Sequence, residues 1–157
     1  MKNISIMTLN IISLLSLVCF FEARATVSQN PIQDLVAAEK YFQEELEFTS
    51  NPYGVKMAIE GKKGKIRVID VRSREAFAKG HIPGAVNIPY DDIDRLDDIS
   101  NAEQKPIKDG HNYVYCYENL CNLSQQACVK LAHLGYPVKE LKGGFTGWTD
   151  HKYPVEK

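Results

Sequence analysis

The stretch "YVYCYENLCNLSQQAC" (Tyr113–Cys128) decides the fold class and raises the question of function. An apolar run of strand length ends abruptly on Cys116. A short loop follows, and "CNLSQQACVKLAHLGYP" then takes on helical character. Asn122 is the expected N-cap with Gln125 at N3, a capping-box variant. The helix is expected to run to Leu134, with Gly135 just past its end and Pro137 beyond. Strand, loop and helix in this order form the repeating unit of a parallel α/β sheet. Ligands of such sheets bind beyond the C-terminal ends of the strands. Cys116 stands at such an end, as a nucleophile, half of a disulfide, a metal ligand or core filler.

The flanking sequence repeats the alternation. On the N-terminal side, "KIRVIDV" (Lys65–Val71) is a β-branched strand, and "SREAFAKG" is a short helix capped by Ser73 and stopped by Gly80. "HIPGAVNIPY" holds two prolines and reads as a loop with a brief extended segment at Ala85–Ile88. "DDIDRLDDI" predicts a turn of helix, and "NAEQKPIKDGH" a polar connector. On the C-terminal side "VKELKGG" is a last strand, followed by a short helix in "GFTGWTDH". Upstream, helical spacing runs from Ile32 to about Glu45, "LEFTS" predicts a short edge strand, and "SNPYGVKMAIEG" a helix ending at Gly61. One α/β domain with a parallel sheet and helices on both faces is expected.

Composition narrows the class. The 157 residues are 44% hydrophobic and 25% charged, with a formal net charge of −1, as in ordinary globular chains. Basic residues are scattered among acids, which excludes a nucleic-acid partner. The cluster Lys62, Lys63 and Lys65 sits beside glycines and reads as a solvated turn. Residues 1–25 differ in kind. Lys2 precedes the apolar run "ISIMTLNIISLLSLVCFF", and Ala23-Arg24-Ala25 supplies small residues at −3 and −1 of a cleavage site. A signal peptide cut before Thr26 is expected, with an uncleaved membrane anchor as the rival reading. The protein is then periplasmic or secreted, with no stable membrane association after cleavage and a mature charge of about −2. Residues 26–45 form a tail and helix, and 46–157 the α/β domain.

Cleavage also removes Cys19 and leaves Cys116, Cys121 and Cys128. An odd number argues against a structural disulfide framework. No second ligand pair appears at metal spacing, and His81, His111, His133 and His151 are isolated, so neither a metal nor a cofactor is expected. Cys128 shares a helical face with Ala127, Leu131 and Leu134 and is expected in the core. The sulfur of Cys116 would face the positive end of the following helix and unpaired loop N–H groups, which lowers a thiol pKa.

Three segments together resemble the rhodanese-like family: "VIDVRSREAFAKGHIPGAVNIPY" (Val68–Tyr90), "YVYC" with its loop and helix, and "LGYPVKELKGGFTGW" (Leu134–Trp148). The match runs over roughly residues 47–155. It implies a small α/β domain on a parallel sheet of about five strands. It also implies that Cys116 takes sulfane sulfur from a small donor, carries it as a persulfide, and passes it to a thiol acceptor, which a protein thiol could supply. The loop Tyr117, Glu118, Asn119, Leu120, Cys121 and Asn122 would hold the substrate, with Asp70, Arg72 and His81 in support. Asp70 and Arg72 are expected to orient loops, Arg72 through Glu75, and His81 to be a satisfied structural histidine.

The loop departs from the family pattern Cys-x-x-Gly-x-Arg-Ser. "CYENLCNLS" is two residues longer before Ser124, has no Gly, Arg or Lys, and gains Glu118 and Cys121. It resembles a variant class with a Cys-x4-Cys-Asn loop. A dianion such as thiosulfate loses its cationic partner there and is not the expected preferred donor. Phosphatases of related fold need an arginine six residues after the cysteine, where this chain has Asn122. Cys121 stands five residues from Cys116 and is a candidate resolving thiol. The competing function is a non-catalytic rhodanese-like module that binds a partner or senses redox state.

Overall fold

The computed structural model describes residues 34–61 and 64–157. The expected signal peptide, its cleavage site, most of the tail and the lysines at 62 and 63 lie outside the described residues. Among the described residues no helix is long and apolar enough to cross a membrane.

Ten elements make the α/β layers. In chain order they are α1 (Leu35–Phe48), β1 (Thr49–Ser50), α2 (Pro52–Gly61), β2 (Ile66–Asp70), α3 (Arg74–Lys79), β3 (Val86–Asn87), β4 (His111–Tyr115), α4 (Leu123–His133), β5 (Val138–Leu141) and α5 (Gly144–Asp150). Tyr90–Asp98 is a pair of 3-10 turns interrupted at Arg95, and the polar connector holds a further one at Ala102–Gln104. The five strands lie in the order β1-β5-β4-β2-β3, all parallel. The two longest strands are β2 and β4. They pair over their whole length, from Ile66 with His111 to Asp70 with Tyr115.

Alternation along these strands divides the core in two, because successive side chains point to opposite faces. On one face Ile69, Val71, Val114 and Cys116 pack with Ala127 and Leu131 of α4 and with Ile88, Ile93 and Leu96. On the other, Val68 and Tyr115 pack with Val55 of α2, Ile82, Leu141 and Trp148 of α5. Helices therefore cover both faces. Trp148 is 2% exposed, and its indole N–H donates to the Pro154 carbonyl at 2.7 Å. A buried tryptophan with its one polar atom satisfied fixes the last helix and the chain end together.

Helix ends follow the expected chemistry at α3 and at Gly135, and depart from it at Asn122, at Leu134 and at α1, which runs on to Phe48 past the expected end near Glu45. Ser73 caps α3, its hydroxyl accepting from the Ala76 N–H at 3.2 Å. Gly135 follows α4 at φ 81°, the left-handed position that ends a helix. The capping box at Asn122 does not form. Asn122 sits at φ −92°, ψ 6°, outside the extended range of an N-cap, and makes no side-chain cap hydrogen bond. Its amide oxygen accepts instead from Gln126 Nε2 at 2.9 Å. Leu134, expected on the buried face of α4, is 44% exposed, because it is already the C-cap and has left the helical phase.

Candidate active site

Cys116 is the first residue after β4, at the C-terminal edge of the sheet. Its side chain continues the alternation of Val114 into the core, so only 1% of the residue is exposed. The loop that leaves it is anchored by the start of α5. Phe145 N–H donates to the Cys116 carbonyl and Thr146 N–H to the Tyr117 carbonyl, both at 2.9 Å. This close approach requires glycine at 144. Its φ is +56°, and a Cβ there would lie 2.7 Å from the Cys116 oxygen and 3.0 Å from the Glu118 nitrogen.

Four groups meet at the sulfur. Sγ lies 3.2 Å from the Cys121 carbonyl oxygen and 3.4 Å from Ser124 Oγ. The Cys121 thiol and the Ser124 backbone N–H also act on it. The expectation of a lowered pKa is corrected. Burial raises the Cys116 thiol, the Cys121 thiol raises it further, and the Ser124 hydroxyl and N–H at the start of α4 oppose this without overcoming it. A buried thiolate loses its hydration, and one helix end does not replace it. Among the described residues no disulfide joins Cys116, Cys121 or Cys128. Cys128 lies against the α4 core, where burial and the Glu140 carboxylate push its thiol up to about 12.

The loop is otherwise open to solvent. Tyr117, Glu118, Asn119, Leu120 and Asn122 are exposed, Leu120 by 92%, while Cys121 is half-buried. Cys121 N–H donates back to the Glu118 carbonyl at 3.1 Å, curling the loop. Tyr117 forms a wall common to two clefts of about 480 and 400 Å³. The first is lined also by Arg74, Asp92 and Leu123, the second by Arg72, Lys79 and Phe145. Cations thus flank the loop although none belongs to it. Both arginines are already paired, Arg74 with Asp92 at 2.5 Å and Arg72 with Asp70 at 2.6 Å.

The three supporting residues act away from the sulfur. Arg72 does not reach Glu75. It takes Asp70, two residues back at the strand end, through Nε at 3.0 Å to each carboxylate oxygen and Nη2 at 2.6 Å. Both residues are buried, and the remaining Nη2 contact goes to the Gly80 carbonyl at 2.8 Å. The guanidinium lies 4.1 Å from the Phe145 ring centroid and 5.7 Å from that of Tyr117. The pair therefore ties α3, α5 and the Cys116 loop into one unit. His81 stacks on Phe77 at 3.8 Å. Its Nδ1 lies 3.1 Å from the Phe77 carbonyl oxygen, and its backbone pairs with Glu156. It holds the chain end and is not joined to the loop.

Ser124 and Glu140 are the residues the sequence did not single out. Glu140 on β5 pairs in register with Val114, so its side chain emerges on the same face as Cys116 and beneath α4. Ser124 Oγ donates to Glu140 Oε1 at 2.9 Å. Among the described residues no group of His, Cys, Asp and Glu is arranged to hold a metal ion.

A five-stranded parallel α/β sheet with a cysteine at the end of its central strand, cradled by a loop and a helix start, defines a class of small cysteine-loop domains. The chain belongs to the rhodanese-like domain family, whose model matches residues 55–151. It is 35% identical over 111 residues to the thiosulfate sulfurtransferase GlpE of Pseudomonas putida, covering 70% of this chain and 92% of that one. It is 36% identical over 106 residues to the adenylyltransferase and sulfurtransferase UBA4 of Candida albicans. That match takes in 66% of this chain and only 24% of the larger protein. Among solved structures, the BH2092 protein of Bacillus halodurans superposes with a TM-score of 0.67 at 30% identity, over 78% of this chain and 86% of that one.

Proposed function

We propose that the protein is a sulfur carrier in which Cys116 accepts a sulfane sulfur and hands it to a thiol. The observation that carries this reading is the placement of Cys116 at the sheet's C-terminal edge, inside a loop anchored by α5 and facing the start of α4. The Cys116 thiolate attacks the outer sulfur of the donor. The donor's S–S bond breaks as the Sγ–S bond forms, and the leaving thiolate takes the proton that Cys116 gave up. Transfer to the acceptor thiol repeats the exchange in the other direction.

Small sulfane donors, polysulfide or a low-molecular-weight persulfide, suit the site better than thiosulfate. A dianion needs fixed positive charge at the loop; Arg72 and Arg74 are committed to carboxylates, Lys79 stands across the cleft from Tyr117 and not in the loop, and Glu118 adds a negative charge. Cys121 would then be a resolving thiol. Its thiolate attacks the inner sulfur of a Cys116 persulfide, forming a Cys116–Cys121 disulfide and expelling the outer sulfur as hydrosulfide. Both thiols are oxidised and the sulfane sulfur is reduced, so the step needs no further oxidant. Export by residues 1–25 belongs to the same proposal, and N-terminal sequencing of the mature protein should begin at Thr26.

The burial of Cys116 and its raised thiol favour one rival, a redox-sensing or partner-binding module without turnover. Intact-mass measurement after exposure to polysulfide separates them. A gain of one sulfur, mapped to Cys116 and released by cyanide or a thiol, is the expected result. If Cys116 gains no sulfur even in Cys121→Ser, where no internal disulfide can consume a persulfide, the sensing reading replaces the carrier.

A further inference from the structure

The contact between Ser124 and Glu140 lies directly behind the reactive sulfur and has no role in the carrier chemistry above. A hydroxyl has one proton to give. Between a carboxylate oxygen at 2.9 Å and a sulfur at 3.4 Å, the carboxylate is the stronger acceptor and takes it. Ser124 Oγ is then left facing Sγ with its lone pairs. The S–H itself is given to the Cys121 carbonyl at 3.2 Å, so a Ser124 hydroxyl committed to Glu140 withdraws the one donation from that side chain that would favour S⁻. The two contacts also keep the carboxylate within about 6 Å of the sulfur, where its charge acts in the same direction.

We propose that Glu140 is a positioning residue that holds unloaded Cys116 as a neutral thiol, by claiming the Ser124 hydroxyl proton. The proposal takes its purpose from the reading of Cys116 as the sulfur carrier. Glu140 is balanced from the far side by Lys142, whose Nζ lies 3.2 Å from Oε2 and 3.4 Å from Glu45 Oε1 on α1. Gln125 Nε2 donates to the same Oε2 at 3.4 Å. A chain of polar contacts thus runs from α1, outside the segment matched by the family, through Lys142, Glu140 and Ser124 to the sulfur.

The remaining titratable groups around this chain are few. Cys121 acts on the sulfur from the loop, and Cys128 on α4 lies near Glu140, where it stays neutral up to about 12. A persulfide places its terminal charge one S–S bond further out, about 2 Å beyond Sγ. Glu140 therefore opposes an anion on the bare cysteine more than on the loaded form. The empty site resists alkylating and oxidising electrophiles, and the loaded site keeps an anionic terminal sulfur for transfer.

The test is a pH titration of thiolate absorbance near 240 nm in the whole protein, taken as the difference from Cys116→Ser in each background. Glu140→Gln is expected to raise the Cys116 thiolate fraction at about pH 8 roughly tenfold. It removes the charge and presents an amide that can donate to Oγ, which frees the hydroxyl proton for the sulfur. Combining it with Ser124→Ala should remove at least half of the gain. Lys142→Met, which leaves the Glu140 charge uncompensated, should move the titration the other way and serves if the glutamine variant does not fold. The proposal is overturned if Glu140→Gln leaves the titration in place or shifts it upward, as loss of a proton-accepting base would. A gain independent of Ser124 overturns the route through the hydroxyl. Sulfur loading does not enter the measurement, so failure of the carrier reading and failure of this proposal are told apart.

Discussion

Replacing Asp70 by alanine should destabilise the domain more than any other change of one charged side chain described above. Asp70 is fully buried and Arg72 is 4% exposed. Removing the carboxylate strips the guanidinium of three contacts and the Arg72 N–H of a fourth, at 2.9 Å. Only the Gly80 carbonyl and the aromatic faces remain to it. Breaking a buried pair in this way costs about 3–5 kcal/mol, because a buried cation is left uncompensated. That is a large part of the roughly 5–15 kcal/mol that holds a domain folded. With a urea m-value of about 1–3 kcal/mol/M, the midpoint should fall by about 2 M. Trp148 is the only tryptophan and is buried, so its fluorescence reports the unfolding directly. The double variant Asp70→Leu/Arg72→Met should recover most of the loss, since neither charge is then stranded. The exposed pair Lys65–Asp109 is the comparison, and Asp109→Asn should leave the midpoint unmoved. A fall of less than about 0.5 M for Asp70→Ala would refute the reasoning, because the arginine would then have found water or another partner.

Cys121→Ser should leave sulfur loading on Cys116 intact, lengthen the lifetime of the persulfide and prevent the internal disulfide, as read by non-reducing peptide mapping after polysulfide treatment. If it abolishes loading instead, the roles of the two cysteines are reversed. Glu118→Arg should raise thiosulfate:cyanide turnover by putting an unpaired cation on the loop, and brisk turnover by the unaltered protein would show that no such cation is needed. Gly144→Ala should cost about 2–4 kcal/mol in urea unfolding and lower sulfur loading, because a Cβ at φ +56° meets the Cys116 and Glu118 backbone. Unchanged stability would mean that the loop yields freely. Loading of the unaltered protein should accelerate with pH beyond the ordinary thiol range, since the raised Cys116 thiol becomes thiolate only there.

What the sequence made legible is what local rules govern. The alternation of strand and helix, the Ser73 cap, the stop at Gly135 and the position of Cys116 all follow from residues close together in the chain. The family's long motif supplied the sheet. Local rules fail where distant or competing partners decide. Glu140 reaches Ser124 only because β5 lies beside β4 in a register that pairs it with Val114, which no spacing announces. Arg72 chose Asp70 over Glu75, because the carboxylate two residues back is buried with it at the strand end, whereas Glu75 is exposed on the helix. The thiol of Cys116 was expected to be lowered by the helix start. Its depth in the core, set by the same alternation that buries Val114, decides the opposite.

Both margins of the sheet are built from two residues, Thr49–Ser50 on one side and Val86–Asn87 on the other. Unpaired strand edges are templates on which another chain can add, and the hazard grows with their length. Two residues offer too few free N–H and C=O groups to hold an incoming strand. Asn87 Nδ2 is also turned back onto the Asp70 and Arg72 carbonyls at 2.9 and 3.0 Å, so this side chain spends its donors within the domain. Beyond these margins β2 is left uncovered only at Ile66–Val68 and β5 only at Val138–Lys139, so the edges on which a further strand could add are runs of two or three residues.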